Sequence, residues 1–208
     1  MIALERDIAD LIRQYQIKTG RLLTIGSIES ATGGRIGDKI TNVPGSADYF
    51  KGSIVSYHNE IKTEVVGVKE ETLKAYGAVS VETAAEMAES GRKLLKVDIC
   101  ISDTGIAGPT GATSEKPVGL FYLGLSVEGS TLTRKYRFNG NREENKQNAA
   151  EESIRLLKEY LESLLDKLNT QPLEEKHVVT CFLKHGGNIL ILKRSQKVGS
   201  YQGKWAGI

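Results

Sequence analysis

Three short segments carry side chains that could do chemistry together: Glu29-Ser30-Ala31-Thr32-Gly33-Gly34, Tyr57-His58-Asn59-Glu60-Ile61-Lys62, and Thr104-Gly105-Ile106-Ala107-Gly108-Pro109-Thr110-Gly111. A serine hydroxyl is a weak nucleophile at neutral pH and needs a neighbouring base. His58 and Lys62 are the bases on offer. A lone histidine at a strand end reads more readily as a structural or surface residue than as half of a Ser-His pair. Lysine serves only as a neutral amine, which requires burial or nearby cations to lower its pKa from about 10.4. Taken alone, Lys62 reads as a solvated surface lysine. The glycines after Ser30 let backbone approach a ligand, and free N–H groups at a helix N-terminus hold an anion or an oxyanion. By itself that turn fits a plain helix cap at least as well, with Ser30 or Thr32 closing the helix. The Thr104-Gly105 loop shifts the balance. Two Gly/Thr-rich loops that each follow a buried strand can meet at one sheet edge, where α/β proteins place ligands.

Other chemistries lack their residues. A Walker loop fails because the position five after Gly33 is Asp38, where Lys is required. A nucleophile elbow fails because Ile28 and Thr32 stand where glycines must flank the serine. His58, His177, His185, Cys100 and Cys181 have no metal-ligand spacing, so no metal and no cofactor is expected. The formal charge of +2 is spread without a basic block, and four Phe and one Trp leave few stacking platforms, which speaks against nucleic acid.

The elements that must position these residues follow from periodicity. Leu4, Ile8, Leu11, Ile12 and Tyr15 predict an amphipathic helix ending before Gly20. Arg21 to Ser27 reads as a buried strand, Gly33 to Thr41 as a helix and 50–57 as a strand. A further helix runs through Lys62 and breaks at Gly67. Ser80 is the expected N-cap of a long helix over 81–95, with Ala84, Ala88, Gly91 and Leu95 as its packing face. Val97 to Ser102 predicts a second buried strand, followed by a loop from Asp103 to Pro117. Residues 118–127 and 131–138 predict a hairpin, and Arg142 to Leu168 a final helix. The alternation predicts an α/β fold: a layered α/β/α domain over 1–168 with a mixed sheet.

Residues 169–176 are polar, contain Pro172 and read as a linker. Over 177–208 the sequence predicts a short β-hairpin segment around His185-Gly186-Gly187, the front of a second domain truncated at Ile208, since some thirty residues bury no core. The charged N-terminus, the absence of an apolar span and two unpaired cysteines predict a cytoplasmic protein with no membrane partner.

Taken in order, Glu29 to Gly34, Val43-Pro44-Gly45-Ser46, Tyr57 to Lys62, Gly77-Ala78-Val79-Ser80, Thr104 to Pro109, Lys116-Pro117-Val118-Gly119 and Gly140-Asn141-Arg142 resemble the C-terminal domain of the CinA family over residues 3–165. That family includes bacterial nicotinamide mononucleotide deamidases. The resemblance implies Ser30 as nucleophile, Lys62 as its general base and Tyr57 as a hydrogen-bonding partner. It implies Thr32, Gly33, Gly34, Thr104 and Gly105 as substrate or oxyanion contacts, and Arg142 as a phosphate ligand. The partner so implied is a small-molecule nucleotide; the oligomeric state, homo-oligomer included, stays open. Ala31, Ser53, Asn141, Asn145 and Lys146 depart from the usual family residues. Lys176 to Ile208, above all Ile189 to Arg194 and Gly203-Lys204-Trp205, resembles the opening strands of a Nudix hydrolase without its metal-binding signature. Two other readings follow: a nucleotide-binding module without turnover, or an accessory domain of a Nudix pyrophosphohydrolase.

Overall fold

Along Ile25–Glu29 and Ile99–Gly105 successive side chains point to opposite faces of a sheet. In the computed structural model both faces are covered by helices. The structure describes residues 3–170 and, beyond them, the strand segments Leu183–His185, Asn188–Leu190, Leu192–Lys193 and Trp205–Ala206. The first unit holds β1 (Ile25–Glu29), β2 (Phe50–Val55), β3 (Ile99–Gly105), β4 (Leu120–Val127) and β5 (Ser130–Arg137) in the order β2-β1-β3-β4-β5. The first three run parallel, and β4 and β5 are antiparallel. This is the layered α/β fold with a mixed sheet that the sequence predicts.

One face is covered by α1 (Ala3–Thr19), α2 (Arg35–Thr41) and α5 (Arg142–Thr170), whose Ile8, Ile12, Ile36, Ile40, Ile154 and Leu157 pack on Ile25, Ile99, Ile101, Leu123 and Leu125. The other face packs Ile28 and Cys100 against Met87 of α4 (Val81–Leu95) and against Val66 and Val68. Ser80 caps α4, its side chain accepting the Thr83 N–H at 3.1 Å. Small residues bring α4 close to the strands. Ser102 Oγ donates to Ala84 O at 2.6 Å, and a Cβ on Gly124 would lie 2.6 Å from that same oxygen.

Several boundaries differ from the sequence expectation, and the sheet accounts for them. β1 runs to Glu29 rather than Ser27 because Ser27, Ile28 and Glu29 pair with β2. Residues 21–24 lie outside it, Thr24 being held instead by Asp98, which accepts its N–H and hydroxyl. β3 runs to Gly105 rather than Ser102, because Asp103, Thr104 and Gly105 pair with β4, so the long loop is shorter than predicted. Lys62 sits in a π-helical turn, Ile61–Val66, closed by Gly67 at φ 88°. The short helix α3 (Glu70–Tyr76) buries no residue and so carries no apolar periodicity to find. α5 includes Asn169 and Thr170, expected in the linker.

In the second unit, Leu183–His185 pairs antiparallel with Asn188–Leu190, and Leu192–Lys193 with Trp205–Ala206. His177 and Cys181, and with them most of the Nudix-like stretch, lie outside the described residues. No helix among the described residues is long and apolar enough to cross a membrane.

A Cβ on Gly91 would meet Ile28 Cγ1 at 2.1 Å, Ile28 Cδ1 at 2.8 Å and Cys100 Sγ at 3.0 Å. Gly91→Ala is therefore expected to destabilise the domain by about 1–3 kcal/mol through overpacking. The readout is a lower urea midpoint with an unchanged m-value; an unchanged midpoint would mean that Ile28 gives way.

Candidate active site

Ser30 leaves the end of β1 where two crossovers part. The chain from β1 to β2 passes through α2 on one face, and that from β2 to β3 through α4 on the other. Strand ends between diverging crossovers leave a crevice. A cavity of about 300 Å³ lies there, lined by Ser30, Tyr57, Asn59, Lys62, Gly105 and Arg142 among others.

Lys62 is almost fully buried, with 1% of its surface exposed. Its Nζ lies 3.0 Å from Ser30 Oγ, 2.5 Å from the Ser56 carbonyl and 3.4 Å from the Tyr57 carbonyl. Ser56 is itself fixed to the end of β1, its N–H donating to Glu29 O at 2.7 Å and its hydroxyl to the same oxygen at 3.2 Å. A neutral amine has two N–H donors and one lone pair. The two carbonyls take the donors, and the lone pair is left for the Ser30 hydroxyl proton. Burial lowers the Lys62 pKa from 10.5 to about 8, and a negative charge on Asp103 would oppose that shift. The geometry is that of a nucleophile within reach of its base.

The other expected residues divide. Tyr57 joins the Lys62 network through its carbonyl, not its phenol, which accepts from Arg142 Nη2 at 2.8 Å. Arg142 Nη1 also donates to Gly108 O at 2.7 Å, so one guanidinium spans two walls of the cavity. Gly105 lines the cavity, and a Cβ there would overlap Phe121 at 2.4 Å. Ile106 N–H donates to Leu120 O, so antiparallel alternation turns the Gly105 N–H away from β4. Pairing of β3 with β1 stops at Ser102, which leaves that N–H on the Ser30 side. Thr104 uses its hydroxyl on Ala78 O at 2.6 Å and so shapes the wall.

Thr32, Gly33 and Gly34 do not line the cavity, contrary to the sequence expectation. The Thr32 and Gly34 amides are already engaged. Thr32 N–H donates to Asp103 Oδ2 at 3.1 Å, and Gly34 N–H to Glu29 Oε2 at 2.8 Å. Gly33 and Gly34 have φ of 66° and 100°, so glycine is required there for the turn itself. His58 is exposed and faces Glu60 at 3.5 Å.

Two acids were not singled out in the sequence. Glu29 and Asp103 are both fully buried under the Ser30 turn. Asp103 accepts the Ser30 N–H at 3.0 Å; burial pushes its pKa up to about 6, and the Glu29 charge adds to the rise. Asn145, noted in the sequence only as a departure from the family residue, donates to Ala107 O at 3.0 Å and Gly140 O at 2.9 Å and so ties the loop after β3 to α5. The legible signal was an acid at the end of each of two apolar strands. Among the described residues no group of three or more His, Cys, Asp or Glu is placed to hold a metal.

The description "CinA C-terminal domain" belongs to the family model that matches residues 5–161. The chain is 49% identical over 148 residues to a CinA-like protein of Kosmotoga olearia, covering 71% of this chain and 34% of that protein. It is 47% identical over 147 residues to a CinA-like protein of Endomicrobium trichonymphae, covering 68% of this chain and 34% of that protein. The chain thus spans about a third of the length of these relatives. Among solved structures, the competence or damage-inducible protein of Enterobacter asburiae matches at TM-score 0.70 and 28% identity, over 76% of this chain and 96% of that one. The competence/damage inducible protein CihA of Agrobacterium tumefaciens matches at 0.67 and 30%, over 80% and 96%. The family match ends before the Nudix-like stretch begins.

Burial of Lys62 has a stability consequence with a definite sign. Its folded pKa lies below its unfolded one, so below about pH 8 both states are charged and the folded state bears the whole desolvation cost. Between about 8 and 10.4 the unfolded state binds more protons, and stability rises with pH. Lys62→Met is expected to be more stable than the parent by roughly 1–3 kcal/mol near pH 7, the gain shrinking by pH 10. Urea unfolding at the two pH values checks this; a variant less stable at pH 7 would show that the lysine is a net stabiliser.

Proposed function

The chain belongs to the CinA C-terminal domain family, and on that premise we propose that it hydrolyses the carboxamide of nicotinamide mononucleotide to nicotinate mononucleotide and ammonia. The observation that carries this reading is the 3.0 Å contact between Ser30 Oγ and a buried Lys62 Nζ. Neutral Lys62 takes the Ser30 proton as Oγ attacks the carboxamide carbon. The carbonyl oxygen becomes an oxyanion facing the Gly105 N–H. Lys62 then returns the proton to the departing nitrogen, and ammonia leaves an acyl-serine. Water, deprotonated by the same amine, cleaves that ester and restores Ser30. No step calls for a metal or an organic cofactor. The cavity volume suits a mononucleotide, and Arg142 supplies a planar pair of donors for its phosphate.

Ammonia release from nicotinamide mononucleotide tests the assignment directly. Ser30→Ala and Lys62→Ala are each expected to lose roughly 10³-fold or more in kcat. In the parent, activity is expected to rise with pH through about 8 as Lys62 becomes neutral. Micromolar binding without turnover in the parent would instead support the nucleotide-binding module. Variants as active as the parent would remove the serine–lysine mechanism.

Arg142→Ala is expected to raise KM for the nucleotide by about tenfold or more, with a much smaller effect on nicotinamide riboside, which lacks the phosphate. Equal effects on the two substrates would place the arginine's role in holding Tyr57 and Gly108.

A further inference from the structure

Two acids lie one hydroxyl apart beneath Ser30. Thr32 Oγ1 is 2.7 Å from Glu29 Oε2 and also contacts Asp103 Oδ1. A threonine hydroxyl carries one proton and can donate to only one of them. If both acids were ionised, the second contact would set lone pair against lone pair. Among the described residues no Lys, Arg or His forms an ion pair with either acid. Two buried like charges this close do not both persist. Donor supply decides which one yields. Glu29 accepts the N–H groups of Gly34, Ile36 and Gly37 and the Ser53 hydroxyl at 2.8–3.1 Å. Asp103 accepts only the N–H groups of Ser30 and Thr32, at 3.0 and 3.1 Å, besides the contested hydroxyl.

We propose that Asp103 holds a proton in the working enzyme, donating it to Thr32 Oγ1 while Thr32 donates to Glu29, so that one negative charge and not two lies under the nucleophile. Asp103 is then a positioning residue. Its carboxyl fixes the Ser30 and Thr32 amides, and its neutrality lets Lys62 give up its own proton. Burial brings the Asp103 pKa to about 6 even against the Thr32 hydrogen bond, which lowers it; with that hydroxyl committed to Glu29 the opposing contact is withdrawn, and the carboxyl rises further. The charged groups facing Asp103 are Glu29 at the end of β1 and Lys62 in the π turn. On α5, Arg142 donates to Gly108 and Tyr57 with one N–H from each terminal nitrogen, and Lys146 lies over Gly33. The catalytic meaning of this proton rests on the serine–lysine reading above; its existence does not.

Isotope-edited infrared spectroscopy of the full chain, labelled with ¹³C-carboxyl aspartate, reads the proton near the pH at which Lys62 turns neutral. One aspartic acid carbonyl stretch is expected in the parent, absent from Asp103→Asn. No such band, or a band that survives in Asp103→Asn, overturns the proposal. If that variant does not fold, Thr32→Val and Thr32→Ser serve. Losing the acceptor hydroxyl should move the band to higher frequency and serine should restore it, whereas a band indifferent to both overturns the idea. Acylation of Ser30 by p-nitrophenyl acetate gives a functional arm. Asp103→Asn should leave the inflection of the pH–rate profile within about 0.5 unit of the parent. A fall of about one unit or more would mean that the parent carries a charged Asp103. Neither readout uses a nucleotide, so this proposal and the amide assignment can fail separately.

Discussion

Burying a lysine amine out of contact with any carboxylate is the constraint around which this domain is built. Lys62 is held by two backbone carbonyls and one hydroxyl, with no carboxylate in contact with it. A direct ion pair would have offset the burial and held the amine in its charged form, because an adjacent anion stabilises the ammonium. The fold therefore bears a desolvation cost and offsets it elsewhere, through the continuous apolar layer between the sheet and α1, α2 and α5. The Ser56 carbonyl is where these demands meet. It belongs to the residue stapled to the end of β1, so the strand that delivers Ser30 also places an acceptor for the Lys62 amine.

The same separation of tasks runs through the Ser30 turn. Glu29 gathers the N–H groups of Gly34, Ile36 and Gly37 and so takes the place of a cap for α2, whose N-cap residue offers no side-chain hydrogen bond. Asp103 gathers those of Ser30 and Thr32. Those amides are spent on structure, whereas on the other loop the Gly105 N–H leaves its strand partner behind. A turn that reads as an anion cradle in one dimension is a rigid mount in three.

How much of this was legible depended on whether a signal was local. Helical spacing in α1, α4 and α5, the hairpin of β4 and β5, and the Ser80 cap are written in neighbouring residues, and they form as read. Ser30 and Lys62 were legible as a pair only through the order of short motifs, since Lys62 alone looks like any surface lysine. Glu29 and Asp103 were hidden because charged residues at strand ends suggest chain leaving the sheet. Their burial depends on donors brought from up to 73 residues away. The same effect misplaced the end of β3: Asp-Thr-Gly has turn chemistry, and pairing with β4 overrides it. α3 was missed for the opposite reason, having nothing to bury.

The π turn that carries Lys62 is held at two points. Lys62 and Val66 are both buried, one against Ser30 and the other in the α4-side core, while Ile61 and Val65 stand exposed between and beside them. The turn is wound more loosely than an α-helix. Drift at the exposed positions 61 and 65 costs the site little, whereas Lys62 and Val66 answer to two different neighbours at once, so the segment that carries the amine is also pinned by the α4-side core.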